Sequence, residues 1–177
     1  NTRPQRYTMM GTWDLPFGKG RQLLKTGRLG VIVGGWKLSG TYVYQPGPLL
    51  SWSGTIFYYG KLEDIRSDRP VLSQWFNTAN FNRVSAQAAN SFQARVFPSV
   101  IDGVRGDQTS QINANIQREF RFRDRARLLA RLDVLNVMNR SQFDVPNTDP
   151  LNTNFGKVTA QTTAQNRFLQ VQMRLRF

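Results

Sequence analysis

The sequence predicts an all-β, antiparallel protein whose strands form part of a transmembrane β-barrel. Apolar and polar residues alternate in five separate segments, and the connections between these segments are short and long in turn. A membrane-spanning helix needs about 20 predominantly apolar residues. The longest uncharged run, residues 38–60, is interrupted by glycines, prolines and serines and does not meet this requirement. A closed barrel of strands, each about 9–11 residues long, is the other way to cross a bilayer.

The first two strands are predicted over residues 6–15 and 31–45. The first places five side chains on one face, and most of them are apolar or aromatic: Tyr7, Met9, Gly11, Trp13 and Leu15. The second does the same with Trp36, Leu38, Tyr42 and Tyr44, and its alternate positions are mostly polar. A period of two residues is the signature of a strand with one apolar face.

The third and fourth strands are predicted over residues 111–122 and 126–137. Arg118 interrupts the apolar face of the third strand, and we expect it to extend its charge toward a bilayer interface. Residues 125–137 also permit a helix, because arginine and leucine are good helix formers. The alternation in the neighbouring segments favours a strand.

The last strand, residues 167–177, alternates most strictly. Its odd positions are apolar (Leu169, Val171, Met173, Leu175 and Phe177), whereas Gln170, Gln172, Arg174 and Arg176 lie between them. An edge strand in a soluble sandwich alternates in the same way, so this segment alone does not distinguish a membrane barrel from a soluble sandwich.

The lengths of the connections favour the membrane barrel. We expect residues 46–109 and 139–165 to form long external loops, whereas the other two connections are shorter. Outer-membrane barrels have short turns on the periplasmic side and long loops outside. With five strands, the C-terminus then lies on the short-turn side.

Composition excludes most catalytic chemistry. The 177 residues contain no cysteine and no histidine, so thiolate sites and a Ser-His-Asp triad are absent. We therefore predict that the protein is not an enzyme and has no cofactor and no metal site. The net charge of +13 suits nucleic acid, anionic lipid or an acidic partner equally well. Arginines and aromatics also alternate over residues 118–125, so a soluble basic nucleic-acid-binding β module remains an alternative.

Several short motifs, taken in order, resemble a known family. They occupy residues 15–20, 34–40, 75–78, 104–107, 135–139, 154–158 and 169–177. Together they are similar to the C-terminal part of a TonB-dependent outer-membrane receptor, of the subgroup with a carboxypeptidase-regulatory-like N-terminal domain. The family's Asn-x-x-Asn-His-Pro turn appears as residues 136–139, followed by Arg140 and Ser141 in place of the last two.

The resemblance implies a plugged barrel of about 22 strands, of which these would be the last five. It implies location in the outer membrane of a Gram-negative-type bacterium and energised uptake of a large nutrient or chelate. The resemblance also implies that the plug and the TonB-contacting segment lie upstream. The chain begins with Asn1 and shows no basic-then-apolar leader, so we expect it to be a fragment or a processed product. The implied partners are outer-membrane lipid, the upstream barrel and plug, the TonB complex and the barrel assembly machinery. Nucleic acid is not among them.

The resemblance also implies that the terminal strand, through Leu169, Val171, Met173, Leu175 and Phe177, is the signal read by the assembly machinery. A passive porin or an adhesin-type barrel is the alternative function.

Two groups of residues are candidate functional positions. The polar faces of the strands should line the lumen or touch the plug, through Asn113, Asn115, Gln117, Arg131, Asp133, Gln170 and Gln172. In the long first loop, Trp52, Tyr58, Tyr59 and Trp75 could contact an external ligand. The alternative for these four aromatics is that they pack the loop on itself.

Overall fold

A computed structural model describes residues 3–18, 20–24, 27–85, 94–122, 126–162 and 166–177. It contains one five-stranded sheet in the order β1-β2-β3-β4-β5. The strands are β1 (Tyr7–Asp14), β2 (Trp36–Gln45), β3 (Thr109–Phe122), β4 (Ala126–Leu135) and β5 (Phe168–Arg176). A short helix, α1 (Gly27–Val33), lies between β1 and β2, and a 3-10 turn covers Leu62–Ile65. None of the helices in these ranges is long and apolar enough to cross a membrane.

The strand register keeps the apolar positions together. Val171 of β5 lies opposite Leu132 of β4, and Leu132 lies opposite Ile116 of β3. At the other side of the sheet, Met9 of β1 lies opposite Tyr42 of β2. Residues directly opposite each other in an antiparallel pair point to the same face. The predicted alternation therefore combines into one apolar face and one polar face.

All predicted strand boundaries lie within two residues of the structure except the start of β2, which is wrong. Residues 31–33 belong to α1, and β2 begins only at Trp36 instead of residue 31. Gly34 continues the helical pattern by donating to the carbonyl of Gly30, and Gly35, at φ +74°, then redirects the chain. Glycine is the residue that most readily ends a helix in this left-handed conformation. The fourth strand ends at Leu135, two residues early, because Asn136 has φ +51°.

The turn after β4 is held by an asparagine that is almost completely buried. The backbone N–H of Asn136 donates to Asn113 Oδ1, and its side chain both donates to the carbonyl of Arg140 and accepts the N–H of Arg140. Asparagine tolerates positive φ better than most residues, because its short amide can bond locally. This turn is the residue 136–139 motif singled out in the sequence. Its hydrogen bonds stabilise the end of β4, where the chain leaves the sheet.

The chain divides into two compact units. The sheet unit comprises residues 7–44, 110–140 and 165–177, and the loop unit comprises residues 1–6, 45–109 and 141–164. The loop unit has its own hydrophobic core, made of Leu50, Trp52, Ile56, Ile65, Phe76, Phe81, Phe97, Ile101, Val104 and Phe155. The two long connections of the sheet therefore fold together instead of forming two separate simple loops.

Candidate lumen face and loop unit

All seven residues predicted to face the lumen lie on the polar face of the sheet. Asp133 is opposite Asn115 on one side and Gln170 on the other, and Arg131 is opposite Gln117 and Gln172. Asn113 follows the same alternation along β3. The register thus places amides and charges side by side across three strands. This face has the polarity that a water-filled or plug-contacting lumen requires.

Ion pairs fix part of this polar face. Arg131 binds Asp133 through two nitrogens, with Nη2 2.6 Å and Nε 2.9 Å from Oδ1. Glu119 accepts from Arg121 at 3.1 Å, and Arg127 lies 4.0 Å from the same carboxylate oxygen. Bidentate arginine–carboxylate pairs are more rigid than single-contact ion pairs. The Arg131–Asp133 pair therefore orders part of the polar face, whereas the Glu119 pairs are solvent-exposed.

The opposite face is apolar and strongly exposed in this chain. In β5 the exposed fraction is 61% for Leu169, 67% for Val171 and 72% for Met173. A soluble monomer rarely exposes a contiguous apolar surface of this kind. The face therefore needs an apolar environment to cover it.

Aromatic rings lie at both ends of the apolar face in β1 and β2. Tyr7 contacts Tyr44 at one end, with ring centres 6.2 Å apart. At the other end Trp13 lies opposite Leu38, and Trp36 packs edge-on against Phe120. Six residues of strand separate Tyr7 from Trp13, which corresponds to about 20 Å. The apolar band of an outer-membrane barrel is about 25 Å tall and is flanked by aromatic girdles.

Comparison with known families agrees with this geometry. Residues 1–170 match the family model of the outer membrane beta barrel domain. The chain belongs to the outer membrane beta barrel domain family. The family places this barrel in the outer membrane of a Gram-negative-type bacterium. In barrels of this kind the outward-facing band is apolar. Membership also favours the barrel over a soluble nucleic-acid-binding module. No curated protein and no solved structure matches the chain.

The four aromatic candidates of the barrel's first long loop have different surroundings. Trp52 is buried, stacks on Phe81 and has no hydrogen-bond partner for Nε1 among the described residues. Trp75 is half-buried and donates from Nε1 to the carbonyl of Arg105 at 2.7 Å. The ring of Tyr58 packs on Phe81 and Phe97. These three form or border the core of the loop unit, whereas Tyr59 is 73% exposed. Ligand contact by any of the four stays a prediction. Tyr59 is the most exposed of them and is therefore the most accessible to a ligand.

Burial also affects the chemistry of Tyr58. Desolvation raises the pKa of its phenol above the ordinary value of 10.0, and the negative charge of Asp64 acts in the same direction. A side-chain hydrogen bond with Asn80 opposes this and lowers the pKa. The hydroxyl therefore stays protonated at neutral pH and donates to the carbonyl of Lys61 at 2.9 Å. Tyr58 is a structural hydrogen-bond donor in the loop unit.

The loop unit contains a cleft that sequence reasoning did not find. It has a volume of about 650 Å³ and lies between residues 48–51 and 145–148, with Arg3 at its edge. Thr148 Oγ1 donates to the carbonyl of Ser51 at 2.8 Å and ties the two walls together. These residues are almost one hundred positions apart and show no periodic pattern. The cleft depends on tertiary contacts that no local motif reports.

Proposed function

We propose that this chain is part of a TonB-dependent receptor that takes up a large nutrient or chelate across the outer membrane. The order of its motifs resembles that family, and the polar face suits contact with a plug inside the barrel. No catalytic step is involved, because the barrel and plug only bind and pass a solute.

The observation that carries the proposal is the core of the loop unit. Residues from both long connections fold around a set of stacked and edge-on rings, with Trp52 in contact with Phe76, Phe81 and Phe97. A loop surface held rigid in this way loses little conformational entropy when a ligand binds. Such preorganisation suits a receptor that captures a scarce solute.

Electrical conductance tests the proposal without knowledge of the substrate. The full-length protein would be purified and inserted into planar lipid bilayers, beside a variant that lacks any plug domain upstream of the barrel. We expect the full-length protein to be closed and the plug deletion to open a large, steady conductance.

A steady open conductance from the full-length protein would contradict the proposal and indicate a passive porin. A barrel that stays closed with no plug domain upstream would contradict it as well and indicate an adhesin-type barrel.

A further inference from the structure

Helix α1 presents aliphatic residues to the outside, whereas one glycine within it and another just after it are buried. Gly30 and Gly34 are buried, whereas Leu29, Val31 and Ile32 are 66%, 70% and 64% exposed. In a water-facing helix the apolar side chains point toward the protein and the polar ones point away. The reversed arrangement of α1 indicates that its outer surroundings are apolar.

The inner side of α1 is in backbone contact with the start of the same connection between β1 and β2. A Cβ atom placed on Gly34 would lie 2.7 Å from Gly18 Cα, so a larger residue does not fit. Gly18 itself has φ +102°, a conformation that glycine adopts without a steric penalty. The chain thus packs glycine against glycine and leaves no room for an aliphatic side chain on the inner side.

Arg118 holds the C-terminal end of the helix. Its two terminal nitrogens donate to the carbonyls of Val31 and Ile32, each at 2.5 Å, and the indole of Trp36 also donates to Ile32. The guanidinium lies over the ring of Phe120, 4.4 Å from its centre. Carbonyls at a helix C-terminus lack intrahelical partners and carry partial negative charge. A guanidinium at this position both donates hydrogen bonds to these carbonyls and compensates their charge. Arg118 therefore has a partner within the protein, although the sequence suggested extension toward the bilayer.

The position of Arg118 places α1 on the lipid side of the barrel. Arg118 lies opposite Ala130, and its neighbours on that face are Ile116 and Phe120. This is the apolar face, and the helix is fixed to it at the level of the Trp13 and Trp36 rings. The outward aliphatic residues of α1 therefore continue the lipid-facing surface beyond the start of β2.

The charge of the surrounding connection favours a phospholipid surface as the occupant. Residues 15–35 contain Lys19, Arg21, Lys25 and Arg28 and no acidic residue. Basic segments close to apolar side chains are typical of helices that lie in a bilayer interface, with their cations near lipid phosphates. The connection is one of the shorter ones, so it lies on the periplasmic side.

We propose that α1 is an interfacial anchor that inserts Leu29 and Ile32 into the phospholipid leaflet on the periplasmic side and is latched to the barrel by Arg118. An isolated helix of seven residues is not stable in water, so the latch and the lipid together maintain it.

Fluorescence quenching by lipid tests the anchor. The 177 residues contain no cysteine, so single cysteines can be introduced at Ile32, Val171 and Tyr59 and labelled with a nitrobenzoxadiazole fluorophore. Any cysteine elsewhere in the full-length protein would be replaced by serine. The protein would be reconstituted in phosphatidylethanolamine–phosphatidylglycerol vesicles that contain lipid with a nitroxide quencher either near the headgroup or deep in the chain. Heat-modifiable migration on gels would confirm that each variant is folded.

We expect the label at Ile32 to be quenched about twofold more strongly by the shallow nitroxide than by the deep one. The label at Val171 should show the reverse order, and the label at Tyr59 should be quenched by neither. Quenching at Ile32 as weak as at Tyr59, with normal quenching at Val171, would overturn the anchor alone. Absence of quenching at Val171 as well would overturn the assignment of the lipid face on which the anchor rests.

A second variant tests the latch. Arg118→Met retains a side chain of similar length at this position and removes both guanidinium donors, so that only the indole of Trp36 still donates to the carbonyl of Ile32. In the Ile32→Cys background it should lower the shallow quenching and speed tryptic cleavage within residues 19–28. Unchanged quenching and cleavage in a folded Arg118→Met barrel would contradict the role of Arg118.

Discussion

Val171→Arg is expected to destabilise the folded barrel by about 2–4 kcal/mol, the cost of an arginine on the lipid face near the bilayer midplane. Val171 lies in the middle of β5, opposite Leu132, on the face that meets lipid. Denaturant titration of the protein in vesicles measures the loss, and the heat-modifiable fraction after assembly gives a second measure.

Gln170→Arg is the matched control for this substitution. It adds the same side chain one residue earlier, on the polar face and directly opposite Asp133. We expect a change within about 0.5 kcal/mol, since surface substitutions away from a packed core usually have effects of this size. Equal losses for the two variants would contradict the assignment of the faces.

Trp52→Ala is expected to destabilise the loop unit by about 3–5 kcal/mol, the usual cost of removing a buried large aromatic side chain. Trp52 is 4% exposed and contacts three aromatic rings in the core. A loss of about 3 kcal/mol raises the population of locally unfolded molecules about a hundredfold. Limited proteolysis of isolated outer membranes should therefore cut residues 45–109 much faster, while the sheet stays assembled.

Tyr59→Ala is the control for the loop unit, because its side chain is 73% exposed. Its rate of proteolysis should match that of the unmodified protein. If Trp52→Ala were cut no faster than Tyr59→Ala, the loop unit would not depend on its aromatic core. The same two variants can be compared in a ligand-binding assay. Weaker binding by Trp52→Ala alone would indicate that the ligand needs the folded loop unit, whereas weaker binding by Tyr59→Ala would indicate the loss of a direct contact.

The alternation of residue types predicted the sheet well, because each strand reports its own two faces. β5 and β3 lie within two residues of the predicted ranges, and the register places the seven polar residues on one face. That this face lines a lumen stays a prediction. The start of β2 was wrong because residues 31–33 are β-branched and apolar, which is typical of a strand. Here the glycines at positions 30 and 34 determine the structure through contact with Gly18, and such tertiary contact has no period in the sequence.

The core of the loop unit, in contrast to the sheet, could not be predicted from the sequence. Its aromatic residues were recognised, but the sequence could not assign them to a core or to a ligand surface. Trp52 and Phe155 belong to the same core although about one hundred residues separate them. Burial of this kind depends on which segments meet. Neither a motif nor a local propensity records it, so the cleft between residues 48–51 and 145–148 was missed as well.

A cysteine scan along β5 tests the central claim that one face of this sheet meets lipid and the other meets water. Each position from 168 to 176 would be replaced singly by cysteine in the full-length protein and spin-labelled, and collision with oxygen and with a water-soluble nickel complex would be measured. We expect a period of two residues with opposite phases, with oxygen contact highest at 169, 171, 173 and 175 and nickel contact highest between them. Equal nickel contact at every position would contradict it, because both faces would then lie in water.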